Sequence, residues 1–334
     1  MAETITKLRA AFALGLFVAL AVTGCGHSRT AVEGTPEAVE PSPSPFEPLV
    51  LSNAAAYQEI PTYDGSGQTV HPDIAYFPDG WHGYKYWMAS TPYPYDTDTR
   101  ENPSIVVSND GVSWTVPSGL SNPLVPPPAC DHNNDPDIVY NPQTDELYVY
   151  YIELMRTSRC GSVNENNVRL LKSADGVNWS GPETVMSWDL STNPIYLSPA
   201  VVYREGSFGV WMATPDGAVV HATSNDGVHW SPVEPVTLAA LPWHLDVQYV
   251  SGEYWMLFVD SPVAGSNLRL ARSRDGLSWD VQTEPVLTPG ADWDSDRIYR
   301  STFIYDDAAK RVRVWYSARS AAGQWHVGYA EANR

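Results

Sequence analysis

Beyond residue 48 the chain never settles into a helical period. Short apolar bursts alternate with turn residues, and the bursts fall in a fixed order. An apolar, aromatic stretch occurs five times: 84–89, 147–152, 208–213, 253–258 and 311–316. Each follows a shorter stretch that opens on polar residues and ends in tyrosine: His71 to Tyr76, Asp135 to Tyr140, Ser198 to Tyr203, His244 to Tyr249 and Arg300 to Tyr305. Four units then reach the same turn, S-x-D-G-[VL]-x-W, at Ser108, Ser173, Ser224 and Ser273. Asp-Gly is a favoured two-residue hairpin turn because both central positions want a positive φ. Asp110, Asp175, Asp226 and Asp275 are therefore assigned to turn chemistry and not to catalysis. Five units of about four short strands predict an all-β fold, a five-bladed β-propeller over residues 49–334. The fifth unit lacks the turn. Its outer strand is expected from the start of the domain, near Phe46–Ser52, closing the ring and removing open sheet edges. A monomer is expected.

The first residues read as an address. Lys7 and Arg9 precede the apolar run Ala10–Val22, which is short for a membrane span and has the charge placement of a secretory signal peptide, residues 1–24. The run ends in Val22-Thr23-Gly24-Cys25, which resembles a bacterial lipobox and implies lipidation of Cys25. An ordinary signal peptide with an incidental cysteine is the alternative. Residues 25–48, rich in Pro, Ser and Glu, read as a flexible linker. An exported lipoprotein held at a membrane is the expectation, with inner or outer membrane left open. In an oxidising compartment the remaining pair, Cys130 and Cys160, is expected to form a disulfide bond.

Composition narrows the partners. Hydrophobic residues make up 43% and charged residues 18%, enough for a sizeable core and too apolar for global disorder. The 39 acidic against 20 basic residues leave a net charge of −19, which excludes a nucleic-acid partner on electrostatic grounds. The 13 Trp and 19 Tyr suit a protein that stacks on sugar rings, so a carbohydrate substrate or glycan ligand is expected.

In a propeller the first strand of each blade lines the central channel, and residues two apart on a strand face the same way. That places His71 and Asp73, Asp135 and Asp137, Ser198 and Ala200, His244 and Asp246, and Arg300 and Thr302 along the axis. The aromatic strands keep their type from unit to unit, whereas these polar positions change, which marks them as candidate chemistry. Asp73, Asp137 and Asp246 are the candidate catalytic carboxylates, with His71 and His244 assisting proton transfer. A repeated structural Asp that bonds the neighbouring blade is the competing reading. Arg300 and Asp135 are candidates for holding substrate. The aromatic, acidic excursion Thr91–Pro103 offers Glu101 and Asn102, and Trp243 offers a stacking platform; a solvated loop and inter-blade packing are the respective alternatives.

The [HD]-P-D-[IV]-x-Y segments and the repeated hairpins make residues 50–334 resemble the five-bladed propellers of the arabinanase, levansucrase and invertase superfamily, especially glycoside hydrolase family 43. In that family an Asp before Pro in the first blade is the general base, an Asp before Pro in the third blade tunes the acid, and a fourth-blade Glu is the acid. Here those places hold His71, Ser198 and the Trp243-His244 segment, so none of the three residues carries over. The resemblance also implies an axial Ca2+ or a water-bound ion with a histidine nearby, a place that His71, His244 and the axial Asp residues could fill; no ligand spacing establishes a metal. Two functions follow as expectations: a divergent glycoside hydrolase, or a non-catalytic glycan-binding protein whose hydrolase site has decayed.

Overall fold

The structure is a computed structural model that describes residues 47–128, 131–156, 161–261 and 265–333. Cys25, Cys130 and Cys160, with the lipidation and disulfide expected of them, lie outside the described residues, as does the expected signal peptide. The described chain forms five blades of antiparallel strands, with one short parallel pairing of Thr237–Leu238 on Ser278–Trp279, and is all β apart from two single turns of 3-10 helix. The inner strands are Thr69–Trp81, Asn133–Asn141, Leu197–Arg204, Pro242–Val250 and Arg297–Asp306. Each pairs with the aromatic strand that follows it, as the alternation predicts. Blade one keeps three strands, and the others add an outer strand.

Ring closure differs from the sequence expectation. The strand that joins the fifth blade is Tyr57–Gln58, which pairs with Val327 and Gly328 of the last strand. Leu49 and Leu51 of the expected closing segment bond instead to Gln282 and Val286 behind blade four. Their side chains are buried there among Val286, Leu287 and Trp293. Apolar burial, at roughly 25 cal/mol per Å², decided where that segment lies.

The repeated turns are latches between blades. In each, the Asp Oδ1 accepts the backbone N–H groups of the two residues after Gly, and the Ser hydroxyl accepts the Gly N–H. Only the Gly takes a positive φ, so the turn is built by side-chain acceptors and not by the two-residue geometry expected above. The Gly carbonyl then accepts from the middle strand of the preceding blade: Trp315 Nε1 to Gly111, Tyr150 hydroxyl to Gly227 and Trp211 Nε1 to Gly276. At Gly176 a Cβ would stand 2.1 Å from the Trp87 ring, so no other residue fits.

Candidate functional site: the mouth of the channel

Every inner strand slips register near its start, a β-bulge that gives it an extra residue before the channel. In blades one to three the bulge carries a residue in the left-handed region followed by proline: His71 at φ 53°, Asp135 at 50° and Ser198 at 51°. In blades four and five the extra residues are Trp243 and Tyr299. The strain at three non-glycine positions is of the kind proteins keep where side chains must be aimed.

These bulges gather one ring of side chains. His71 Nε2 lies 3.0 Å from Asp135 Oδ1. The same oxygen is 3.4 Å from His244 Nδ1 and 3.6 Å from Arg300 Nη1. Asp135 Oδ2 accepts the Ser198 N–H at 3.1 Å, and the Ser198 hydroxyl meets His244 Nδ1 at 2.5 Å. His71 Nδ1 rests on the Thr91 hydroxyl at 3.0 Å. All of these side chains are buried. Burial pushes both imidazoles below their ordinary pKa, His244 to about 3, so they are neutral. For Asp135 the cost of burial is outweighed by its contacts with the two imidazoles, His71 first, and by the Arg300 guanidinium, which hold its pKa below the usual carboxylate range.

A second ring lies two residues deeper. One oxygen from each of Asp73, Asp137 and Asp246 falls within 4.8 Å of the others. Their carboxylates tie the ring of blades together. Asp73 accepts from the Ile138 N–H at 2.6 Å and the Thr302 hydroxyl at 2.9 Å. Asp137 accepts from Val201 N–H and Asp246 from Phe303 N–H. Burial raises all three pKa values, Asp246 to about 8. The axial residues therefore separate into two layers, with His71, His244, Asp135 and Arg300 in one and the three candidate carboxylates in the other.

The excursion after the second strand of blade one supplies a wall. Glu101 is only 3% exposed, and burial, with the charges of Asp135 and Asp98, holds its pKa well above the usual range. His132 Nε2 approaches Glu101 Oε2 at 3.8 Å, while its Nδ1 faces Asp131 at 3.4 Å and Asp98 at 4.0 Å. Asn102 is buried between Asn133 and Tyr63. Aromatic rings also line the site. Tyr299 lies 4.4 Å from His244 and 5.2 Å from His71, ring centre to ring centre, and Tyr93 and Trp325 pack against it. Trp243 stands edge-on to His244. Sequence reasoning did not single out Tyr299, His132 or Thr91 for chemistry, and it placed Ser198 on the axis without giving it a role. Tyr299 had a visible signal, since it precedes Arg300 as Trp243 precedes His244.

A divalent cation suits the first ring. His71 Nε2 and Asp135 Oδ1 are buried against each other at 3.0 Å, and His244 Nε2 is buried without a hydrogen-bond partner. At 3.0 Å a neutral His71 either donates its Nε2–H to Asp135 or, with the proton on Nδ1, turns toward that oxygen a lone pair that a cation would satisfy. Two imidazoles and one carboxylate suit zinc or another transition metal better than calcium.

No family model matches the chain. A curated relative, the A type blood N-acetyl-α-D-galactosamine deacetylase of Flavonifractor plautii, is 34% identical over 336 aligned positions, which cover 80% of this chain. The chain spans 43% of that relative's length. The crystal structure of an N-acetylgalactosamine deacetylase from F. plautii, in complex with blood group B trisaccharide, superposes with a TM-score of 0.75 at 31% identity, over 84% of this chain and 95% of that one. Family 43 glycoside hydrolases share the fold at lower identity. A Bacteroides ovatus enzyme gives a TM-score of 0.60 at 14% identity over 78% of this chain and 52% of its own. A thermostable member gives 0.56 at 13%, over 78% and 88%. The chain thus belongs to the carbohydrate-active five-bladed β-propeller family that includes the F. plautii N-acetylgalactosamine deacetylase.

Proposed function

We propose that the protein removes the acetyl group from an N-acetylated sugar by metal-assisted amide hydrolysis. The observation that carries this reading is the convergence of two imidazoles and one carboxylate, all buried, whose ligand atoms lie within 4.8 Å of one another. The relative's activity agrees with it. Glycoside hydrolysis needs two working carboxylates about 5–9.5 Å apart. The candidate pair from Asp73, Asp137 and Asp246 is bonded to neighbouring blades instead.

A divalent cation held by His71, Asp135 and His244 would supply Lewis acidity toward the acetamide carbonyl. Burial favours the protonated form of Glu101, which makes it the proton donor. Water adds to the carbonyl carbon and its proton leaves through His132; the C–N bond breaks, the leaving nitrogen takes the Glu101 proton, Glu101 regains one from His132, and acetate departs. His132 links Glu101 to the exposed Asp98 and so to solvent. Tyr299, Tyr93 and Trp325 exclude bulk water and offer a face to the sugar ring. The acidic wall disfavours anionic sugars.

The signal sequence and the lipobox at Cys25 support a place outside the cytoplasm, anchored through lipid. A Cys25→Ala variant that stays in the membrane fraction would remove that part.

The deciding experiment supplies N-acetylgalactosaminides and N-acetylglucosaminides to the purified protein and assays acetate and free amine, before and after chelation and zinc or manganese re-addition. Acetate release that chelation abolishes supports the reading. Liberation of reducing sugar without acetate would return the site to glycoside hydrolysis, and binding without turnover to a glycan-binding protein.

A further inference from the structure

Ser198 is the only residue that touches two members of the proposed metal set at once among the bonds described above. Its backbone N–H holds Asp135 Oδ2 at 3.1 Å, and its hydroxyl holds His244 Nδ1 at 2.5 Å. Thr91 does half of this on the other side, with its hydroxyl on His71 Nδ1 at 3.0 Å. Both hydroxyl-bearing residues are buried, at 0% exposure each. Each imidazole has Nδ1 on a hydroxyl, although the nitrogen nearer Asp135 Oδ1 is Nε2 in His71 and Nδ1 in His244. A neutral imidazole that donates from Nδ1 carries its lone pair on Nε2, and a hydroxyl that accepts there favours that tautomer and one ring orientation. Outer partners of this kind tune metal ligands in general.

We propose that Ser198 and Thr91 are positioning residues that, through their hydroxyls, fix the tautomer and aim of His244 and His71 for a divalent cation; this rests on the metal-assisted reading above. Backbone geometry adds to the aim, since Ser198 is held at φ 51° and followed by Pro199, whose carbonyl accepts from Arg300 at 3.3 Å. A hydroxyl at position 198 can accept a hydrogen bond from His244 Nδ1 without adding a negative charge beside Asp135.

The test is metal affinity, read on the full-length protein stripped with chelator and titrated with Zn2+ against a chromophoric competitor. Co2+ absorption reports ligand geometry independently of turnover. Ser198→Ala keeps the backbone bond to Asp135 and removes only the hydroxyl. Thr91→Val is nearly isosteric, and Thr91→Ser restores the hydroxyl. Ser198→Ala and Thr91→Val should each weaken Zn2+ binding about 10–100-fold and alter the Co2+ spectrum. Thr91→Ser should return to within a few-fold of the parent, and melting of the stripped proteins should be little changed. Zn2+ affinities and Co2+ spectra of both deletion variants equal to the parent's would overturn the proposal. Should Ser198→Ala fail to fold, the Thr91→Val and Thr91→Ser pair decides alone. A parent protein that binds neither Zn2+ nor Co2+ would instead sink the metal-assisted reading, and this inference with it.

Discussion

The two axial rings are built on the same strands, two residues apart, and both hold buried acids, one in the outer ring and three in the deeper. They differ in how their oxygens are used. In the deeper ring Asp73, Asp137 and Asp246 accept backbone N–H groups from the next blade, so the bonds that hold the propeller together consume them. In the outer ring Asp135 accepts one backbone N–H and keeps its other oxygen turned to two imidazoles. A buried acid is therefore not a site by virtue of burial or of a perturbed pKa. Atoms left without ordinary partners are the better marker, because a fold rarely leaves buried polar atoms unpaired.

That contrast is sharpest in substitution. Asp135→Asn should lower acetate release by at least about 10³-fold and strip the cation, because an amide replaces an anionic ligand. Metal content per chain and turnover check it, with unfolding by denaturant as the control. Equal loss of activity and metal in Asp246→Asn, whose amide oxygen can still accept from Phe303, would erase the distinction between the rings. Next in size is Glu101→Gln, expected to lose about 10²–10⁴-fold in kcat with metal affinity unchanged. Its pH signature has a defined sign. The folded protein keeps a proton on Glu101 above the pH at which an unfolded Glu releases it, so the wild type loses stability as pH rises from the ordinary Glu range through the raised value. The Gln variant lacks that loss, and its melting temperature relative to wild type should climb toward alkaline pH.

Most of the architecture was legible from periodicity. The five aromatic strands and the polar strand before each gave the blades, since a period of two and a recurring turn leave few alternatives. The first-ring residues His71, Asp135, His244 and Arg300 were also legible as axial, though not their division from Asp73, Asp137 and Asp246. That division depends on the bulges, and a one-residue slip leaves no mark in the hydrophobic pattern. The prolines after His71, Asp135 and Ser198 were the nearest available sign. Ring closure was misplaced for a similar reason: Tyr57–Gln58 is a two-residue pairing with no alternation to read, while Leu49 and Leu51 looked like strand and were spent on the core. His132 and Ser198 owe their importance to partners far away in sequence.

Deeper-ring loss should appear as stability and not as chemistry. Asp73→Ala leaves the Ile138 N–H and the Thr302 hydroxyl unpaired in a buried place, which costs about 1–3 kcal/mol for each. Chemical denaturation should show that loss, and zinc affinity should stay within a few-fold of wild type. A large fall in affinity instead would mean that the rings act as one unit.

The smallest effect belongs to the turns, and it tests whether an acid with a depressed pKa needs a function. Asp175 is pulled well below the carboxylate range by the N–H groups of Asn178 and Val177, although it is nearly exposed. Such an acid stabilises the fold above its unfolded pKa and ceases to do so as pH falls toward its folded value. Asp175→Asn keeps an acceptor oxygen but loses the charge that strengthens both bonds. Water already screens the site, so the change should cost no more than about 1 kcal/mol, or roughly 2–4 °C in melting temperature at neutral pH. The deficit should vanish in acid, where the wild-type carboxylate is itself protonated. Acetate release at neutral pH should not move, since this turn latches blade two against Trp87 and touches neither ring. A variant that melts normally yet loses turnover would show that a turn acid had been dismissed too soon.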